Sequence, residues 1–577
     1  MRDSAKRAAL TAACLGLAVT GLPGVASAAD DAAPPKYSGQ QLTWGPCPFE
    51  PAEGSLPAEC AVVTVPRDWA DPEAGPDLAV SISRVRAGGE RLGSLLVNPG
   101  GPGAQGSSMA GAIAGLEPDL HQGYDLIGMD PRGTGQEGAV APEQLGFLCE
   151  VPLDRLPQGT SLDARDRSAA SIAEHRKTPR AIAESCQSDA IAPYITTWQT
   201  AHDMDLIRAL LHEEKLNYLG YSYGTWLGAK YAALFPRHSG RMILDSNVNW
   251  QGRLQAAFED FPRIGQRWFD DVYLPWTTRQ FPELVGTDVE SARRTWEDVR
   301  AFYAAQGIAP DNFDALFVGA GSEIRWALAS AVLVAAINEM NGQQPPEPAR
   351  SAELQAMLDE QARANFGVPL TELTPQRVAD GLAEDYVPVS GTRFAVACGD
   401  QPTRSAQWYQ ELSDRQGPDL PLNGWAYGLS ETCGYWSDTP RQELPQLPPE
   451  VADNVLVVQG EFDPQTAYEQ GSAAVDAAGA VSMVSVDDSP THGQYAMANN
   501  PCVDGMVNVF LLHGSRPADA VCPSVPLPGE QEVFPVDGPV TSAPAPMPAD
   551  LGTGPDHPEL RRSLQDQISR ANQNPAA

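Results

Sequence analysis

An α/β fold, a mostly parallel central sheet flanked by helices and interrupted by a large, mainly helical insertion, is predicted by three observations on this 577-residue chain. Short apolar runs alternate with segments of helical spacing. A serine flanked by glycines stands between one such run and a helix. Strand-like runs then give way, between about Trp250 and Pro440, to helical sequence rich in aromatic residues before they resume.

The early runs are Ala79–Ser83, Ser94–Asn98, Tyr124–Met129, Leu216–Leu219 and Arg241–Asp245. Short apolar strands separated by helices imply a parallel sheet covered on both faces. Before the fourth run, Thr200-Ala201-His202-Asp203 reads as a capping box, and Met204, Ile207, Leu210 and Leu211 recur at helical spacing. After it, Gly220-Tyr221-Ser222-Tyr223-Gly224 precedes a helical run to Leu234. A strand, a tight turn and a helix make the setting of a nucleophile elbow. Its strained serine requires residues with almost no side chain two positions to either side. The aromatic stretch holds Trp250, Trp268, Phe269, Tyr273, Trp276, Trp296, Trp326 and Trp408, and reads as an inserted cap. The sheet resumes at Asn454–Val458 and Val481–Val486, followed by a helix at about Val503–Leu512.

These runs divide the chain into a core over 44–249, a helical cap over 250–440, a second part of the core over 441–522 and a Pro-rich C-terminal extension over 523–577. One short helix is expected in the extension, near Glu559–Arg570. Residues 1–28 read as a signal peptide. Arg2, Lys6 and Arg7 precede the apolar stretch Ala8–Val19, and Ala26-Ser27-Ala28 offers a cleavage site. That stretch is shorter than the roughly 18 residues that span a bilayer, so no membrane insertion is expected. Cys14 lacks the flanking residues of a lipidation site. Residues 29–43 are expected to be disordered or a pro-segment.

The remaining eight cysteines suit disulfides in an exported chain. About a hundred pairings are open to eight cysteines. Sequential pairing is the simplest, giving Cys47–Cys60, Cys149–Cys186, Cys398–Cys433 and Cys502–Cys522. No CxxC pair or HExxH is present, so no metal and no cofactor is expected. The formal charge is −35, and subtracting the net +2 of Arg2, Asp3, Lys6 and Arg7 gives −37. So acidic a surface repels nucleic acid and anionic membranes. Peptides are the expected partners, and the chain is expected to be a monomer.

A serine hydroxyl needs an imidazole to take its proton and a carboxylate to orient that imidazole, in the chain order Ser, acid, His. Beyond the resumed sheet lie His492, His513 and His557. His513 ends an apolar helix and His557 sits in the Pro-rich tail, whereas His492 follows the strand ending at Val486. Asp463 before Pro464 suits a turn that projects its carboxylate inward, while Glu461 reads as solvated. Thr466 suits either a bond near the triad or a helix N-terminus. The expected triad is Ser222, Asp463 and His492. Backbone donors for the oxyanion are expected from Tyr223 and from the loop Asn98–Gly106, with Gly101 preferred and Gly100 next. That loop has no Walker Lys-Ser/Thr and no GxGxxG spacing, which argues against nucleotide.

Five motifs then carry a resemblance. Val65-Pro66-Arg67-Asp68-Trp69, Asn98-Pro99-Gly100-Gly101-Pro102-Gly103, Asp130-Pro131-Arg132-Gly133-Thr134-Gly135, Asn217 to Thr225 and Phe462-Asp463-Pro464-Gln465-Thr466 look like the secreted tripeptidyl aminopeptidases of streptomycetes and related actinobacterial α/β-hydrolases. These group with the proline iminopeptidases. The resemblance runs from about Trp44 to Cys522 and implies the α/β-hydrolase fold and a serine exopeptidase acting on free peptide N-termini. Gln136-Glu137-Gly138 and Gln465-Thr466-Ala467 depart from the family's pattern. An esterase or amidase acting on a small natural product remains the alternative, since one fold hosts many acyl transfers. A secreted binding protein on a degenerate scaffold is a third reading, which the complete triad opposes. A carboxylate that binds the substrate ammonium is expected in the cap, with Asp400 and Glu323 as candidates. Trp250 and Trp326 suit subsites or core packing.

Overall fold

The computed structural model describes residues 33–141, 144–158, 162–342, 349–382, 389–437, 440–542 and 557–571. The signal-peptide reading lies outside them. Twelve strands are described: β1 Gly45–Pro46, β2 Glu59–Val65, β3 Leu78–Val85, β4 Gly93–Asn98, β5 Tyr124–Asp130, β6 Leu148–Cys149, β7 Leu216–Tyr221, β8 Ser239–Asp245, β9 Val389–Ser390, β10 Val455–Gly460, β11 Ser482–Asp487 and β12 Ala520–Pro523. Ten form one sheet in the order β1-β2-β3-β5-β4-β7-β8-β10-β11-β12, and β6 pairs with β9 apart from it. Pairing is antiparallel through β3/β5 and parallel from β5/β4 to β12.

The sheet is buried on both faces because its parallel strands are crossed by helices. Along β10, Leu456 and Val458 join one apolar cluster and Val455 and Val457 the other, as period-two alternation dictates. Helices Met109–Leu116 and Pro501–His513 cover the first face, and Thr197–Leu210, Tyr223–Leu234 and Tyr468–Ala478 the second. Registers Asn98↔Gly220, Tyr221↔Asp245, Val458↔Asp245 and Gly460↔Val486 align the carboxyl ends of the strands. Ligands of open parallel sheets bind at that edge.

The cap is helical from Leu254 and encloses its own core of stacked rings. Trp326 lies 5.1 Å from Trp268 and 5.2 Å from Trp276, edge to face. Trp326 is therefore core, as is Trp250, whose indole N–H donates to Asn247. The cap also supplies β9. The structure links Cys47–Cys60, Cys149–Cys186, Cys398–Cys433 and Cys502–Cys522. Among the described residues no helix is long and apolar enough to cross a membrane.

Two expectations are corrected. From residue 33 the N-terminal segment is ordered. It forms a helical turn at Pro35–Ser38 whose Tyr37 is buried and donates to Asp77. The helix before the elbow starts at Thr197, not Thr200. Thr196 is its N-cap, with its side chain accepting from Gln199 N, and Thr200 donates back to Thr196 O. The C-terminal extension carries the expected short helix and packs it against the core. Its helix Pro558–Ala571 buries Leu560, Leu564 and Ile568, and Trp276 of the cap donates to Pro528 O.

Arg132 joins two of the sequence motifs to the core. Its side chain is fully buried and pairs with Asp203 (Nε to Oδ2, 2.7 Å). It also donates to the carbonyls of Pro66, Arg67 and Tyr194, while Trp69 donates its indole N–H to Asp203. Removing one partner of such a pair strands a buried charge. Asp203→Ala is therefore expected to lower stability by about 3–5 kcal/mol, read as a shift of the urea midpoint.

A second buried cluster predicts a pH dependence. Glu117 accepts from Asn508, and Asp504 accepts from Ala496 N. Burial pushes Glu117 up to about 7 and Asp504 well above its ordinary value, the Glu117 charge adding to the shift of Asp504. The folded state thus holds protons that the unfolded chain releases near pH 4–5. The stabilisation is complete below that value and is lost as pH rises towards 7. The urea midpoint should fall between pH 5 and 7.5, and Glu117→Gln should flatten that slope.

Candidate active site

The elbow forms as its sequence requires. Ser222 sits at φ 58°, ψ −126°, between β7 and the helix Tyr223–Leu234. A Cβ on Gly220 would meet the Tyr218 ring at 2.4 Å, and one on Gly224 would meet Asn98 Oδ1 at 2.8 Å. Ser222 N–H donates to Asp245 O, and Thr225 Oγ1 donates to Ser222 O.

Asp463 and His492 meet above the elbow's side of the sheet. His492 Nδ1 lies 2.9 Å from both Asp463 oxygens, and both side chains are fully buried. Asp463 Oδ1 also accepts from the N–H groups of Gln465 and Thr466, and Oδ2 from Thr466 Oγ1 at 2.8 Å. Thr466 therefore bonds the acid itself. With Nδ1–H turned to the carboxylate, Nε2 is left as the proton acceptor.

The loop after β4 crosses the elbow so closely that a Cβ on Gly100 would lie 3.0 Å from Ser222 Cβ and 3.2 Å from Tyr223 N. Gly100 N–H, however, is donated to Asn98 Oδ1. That removes Gly100 from the expected oxyanion donors and leaves the N–H groups of Gly101 and Tyr223. Beyond them, Asp130 accepts from Gly106 N, Ser107 N and Glu137 N, fixing the loop's far end.

The two candidates for the substrate ammonium are placed elsewhere. Asp400 is 5 % exposed and accepts from Thr197 N, Thr197 Oγ1 and Trp226 Nε1. Burial pushes it up to about 6 despite those donors. Thr197 Oγ1 is 2.6 Å from the Tyr223 hydroxyl, so Asp400 bolts the cap to the residue after the nucleophile. Glu323 opens the helix Glu323–Met340 and faces Arg561 and Arg562 of the C-terminal helix, whose charges offset the upward shift of burial. Glu461, read as solvated, is buried and accepts from Asp488 N and Val540 N.

Asp245 and Ser246 are functional positions that the sequence reading missed. Asp245 accepts from the N–H groups of Gln494 and Tyr495, and Ser246 Oγ from Gly493 N. They hold the His492 loop against β8, the neighbour of the strand that leads into the elbow. Burial lifts Asp245 to about 7, opposed by those backbone donors and by His492. The available signal was a polar Asp-Ser pair at the end of an apolar strand. Asp245→Ala is expected to leave secondary structure intact while turnover falls about a hundredfold, the cost of a catalytic group displaced by ~1 Å. Unchanged turnover with a normal circular-dichroism spectrum would remove the loop-holding role.

Comparison with known proteins agrees with this architecture. A family described as TAP-like protein matches residues 422–522, the segment that carries Asp463 and His492. A tripeptidyl aminopeptidase of Streptomyces coelicolor is 29 % identical over 81 % of this chain and 83 % of its own length. Serine protease Hip1 of Mycobacterium bovis is 26 % identical over 83 % of this chain and 90 % of its own. Carboxylesterase B of Mycobacterium tuberculosis is 28 % identical over 83 % and 89 %. The chain is a serine hydrolase of the α/β-hydrolase fold, similar along most of its length to tripeptidyl aminopeptidases.

Proposed function

We propose that this protein is a secreted aminopeptidase that releases short peptides, of about three residues, from free N-termini through an acyl-enzyme on Ser222. The observation that carries this reading is the His492–Asp463 contact beside a strained serine, roofed by a cap. His492 Nε2 takes the Ser222 proton as Oγ attacks the scissile carbonyl, and the N–H groups of Tyr223 and Gly101 receive the oxyanion. The imidazolium then protonates the leaving amine as the C–N bond breaks, leaving the acyl group on Oγ. Water repeats the sequence, giving its proton to His492 and returning the serine. Four disulfides and the signal-like N-terminus support export.

A free ammonium held by a carboxylate in a partly dry pocket contributes about 1.5–3 kcal/mol, or roughly ten- to a hundredfold in kcat/KM. Free tripeptide anilides should therefore be cut at least tenfold faster than their N-acetyl forms. Equal rates, or a marked preference for simple esters, would promote the esterase reading that the carboxylesterase relative suggests. Ser222→Ala should lower turnover by orders of magnitude, leaving the roughly 10³–10⁴-fold advantage over water that oxyanion donors and binding supply. An organophosphonate adduct found by mass spectrometry on any residue other than Ser222 would refute the assignment.

A further inference from the structure

Both members of the dyad are bonded to one short turn of the cap. Gly321 O accepts from His492 N at 3.0 Å, and Gly319 O accepts from Gln465 Nε2 at 2.8 Å. Gln465 stands two positions past Asp463, and its own N–H donates to Asp463 Oδ1. The turn is tight, because Gly321 N donates to Gly319 O at 2.7 Å. It thus holds the histidine by its backbone and the acid loop by a side chain. From the core side, Asp245 and Ser246 hold the residues that follow His492. One loop is gripped by a core strand and by the cap.

The approach leaves no room for a side chain. A Cβ on Gly321 would lie 2.7 Å from His492 Cβ and 3.2 Å from Pro464 Cγ. Carbon atoms in ordinary contact sit about 3.5–4.0 Å apart, so even a methyl group would drive the cap and His492 apart. Gly321 does not adopt the left-handed backbone that would by itself call for glycine. What glycine supplies there is proximity. Gly319 differs: it bends at φ 66°, and a Cβ on it would meet Gln465 Cγ only at 3.6 Å. One glycine makes the bend and the other permits the contact.

The turn is fixed from behind as well. It leads into helix Glu323–Met340, whose N-cap Ser322 accepts from Arg325 N and whose Trp326, Val332 and Ala336 are buried in the cap's own core. The C-terminal helix braces the same corner. Its Gln565 Oε1 accepts from Glu323 N, and its Ser569 O accepts from Gln465 Nε2 at 3.4 Å. Any shift of that cap helix is therefore passed to the turn, and through the turn to the two loops that carry His492 and Asp463.

We infer that Gly321 and Gln465 are positioning residues for the His492–Asp463 dyad, joined through the cap turn Gly319–Gly321, so that the dyad is aligned only with the cap seated. This rests on Ser222, Asp463 and His492 acting as the triad, and holds for a peptide or an ester alike. The cap then governs the rate of the chemical step as well as the choice of substrate.

The test uses the full-length enzyme with a small ester, p-nitrophenyl acetate, and a longer substrate, trialanine p-nitroanilide. Gly321→Ala should lower kcat for the ester about a hundredfold, the cost of a catalytic group displaced by ~1 Å, while KM stays where it was. Gln465→Leu, which keeps the bulk and removes the donor, should lower it about tenfold in the same way. Since both act through one turn, the double variant should lose less than the product of the two losses. A full product would mean that they act apart, and would overturn the coupling. Gly265→Ala lies in a cap helix where an added Cβ meets nothing within 4 Å, and should turn over the ester as the wild type does. A comparable loss there would reveal a general response of the cap and count equally against it. Thermal unfolding identifies variants that fail to fold, and where Gly321→Ala does not fold, Gln465→Leu decides alone. Unchanged ester turnover in either folded variant overturns the assignment. So does a raised KM for the anilide with ester kcat intact, which would make the turn a wall of the substrate site. Ester turnover that survives in Ser222→Ala sinks the triad itself, and this inference with it.

Discussion

Ser222 carries a Cβ at φ 58°, ψ −126°, a backbone state that costs a non-glycine residue on the order of 1–3 kcal/mol and persists only where the surroundings over-determine it. Much of the molecule serves as those surroundings. Tyr218 donates its hydroxyl to Gly224 O, Asp245 O takes the serine N–H, and Thr225 closes the turn from the helix side. Asn98 and Gly100 press from the other flank, where no larger residue fits. The reward for the strain is placement. A serine that leaves the strand at this angle stands at the sheet's carboxyl edge, where the loops after β4, β10 and β11 converge.

The cap and the C-terminal extension are joined to this edge by polar contacts rather than resting on it. Asp400 crosses from the cap to Thr197 and Trp226, beneath Tyr223. Gly321 O accepts from His492 N, and Gln465 Nε2 donates to Gly319 O and to Ser569 O. Gln567 of the extension donates to Gln105 O, so one helix touches the acid loop and the loop after β4 together. Both stretches set apart from the resembled family's pattern lie on this ring. Gln465 ties the acid loop to cap and extension, and Glu137 accepts from Ser108 N and Oγ at the start of helix Met109–Leu116.

Local physics was legible in the chain; partners distant in sequence were not. The apolar runs became strands, and the glycines of the pentapeptide announced a close approach that the Tyr218 ring and Asn98 impose. Chain order and loop position singled out Ser222, Asp463 and His492, and the structure places the last two within 2.9 Å of each other. Asp400 read as an ammonium-binding candidate and Glu461 as a solvated acid because nothing nearby marks either as buried and bonded. Their partners, Thr197 for one and Val540 for the other, lie far along the chain. The Thr200 box failed for a related reason, since Asp203 is drawn to Arg132 and Trp69 and the helix takes Thr196 as its cap.

The depth of the site has a consequence for what the enzyme can encounter. Ser222 is 2 % exposed and His492 fully buried, under a cap loop and the end of a C-terminal helix. A folded protein presents loops anchored at both ends, which cannot thread a passage of this kind. A frayed chain end can. Geometry alone would then confine hydrolysis to free chain ends, and would spare the anchored loops of the enzyme's own surface and of the folded proteins around it.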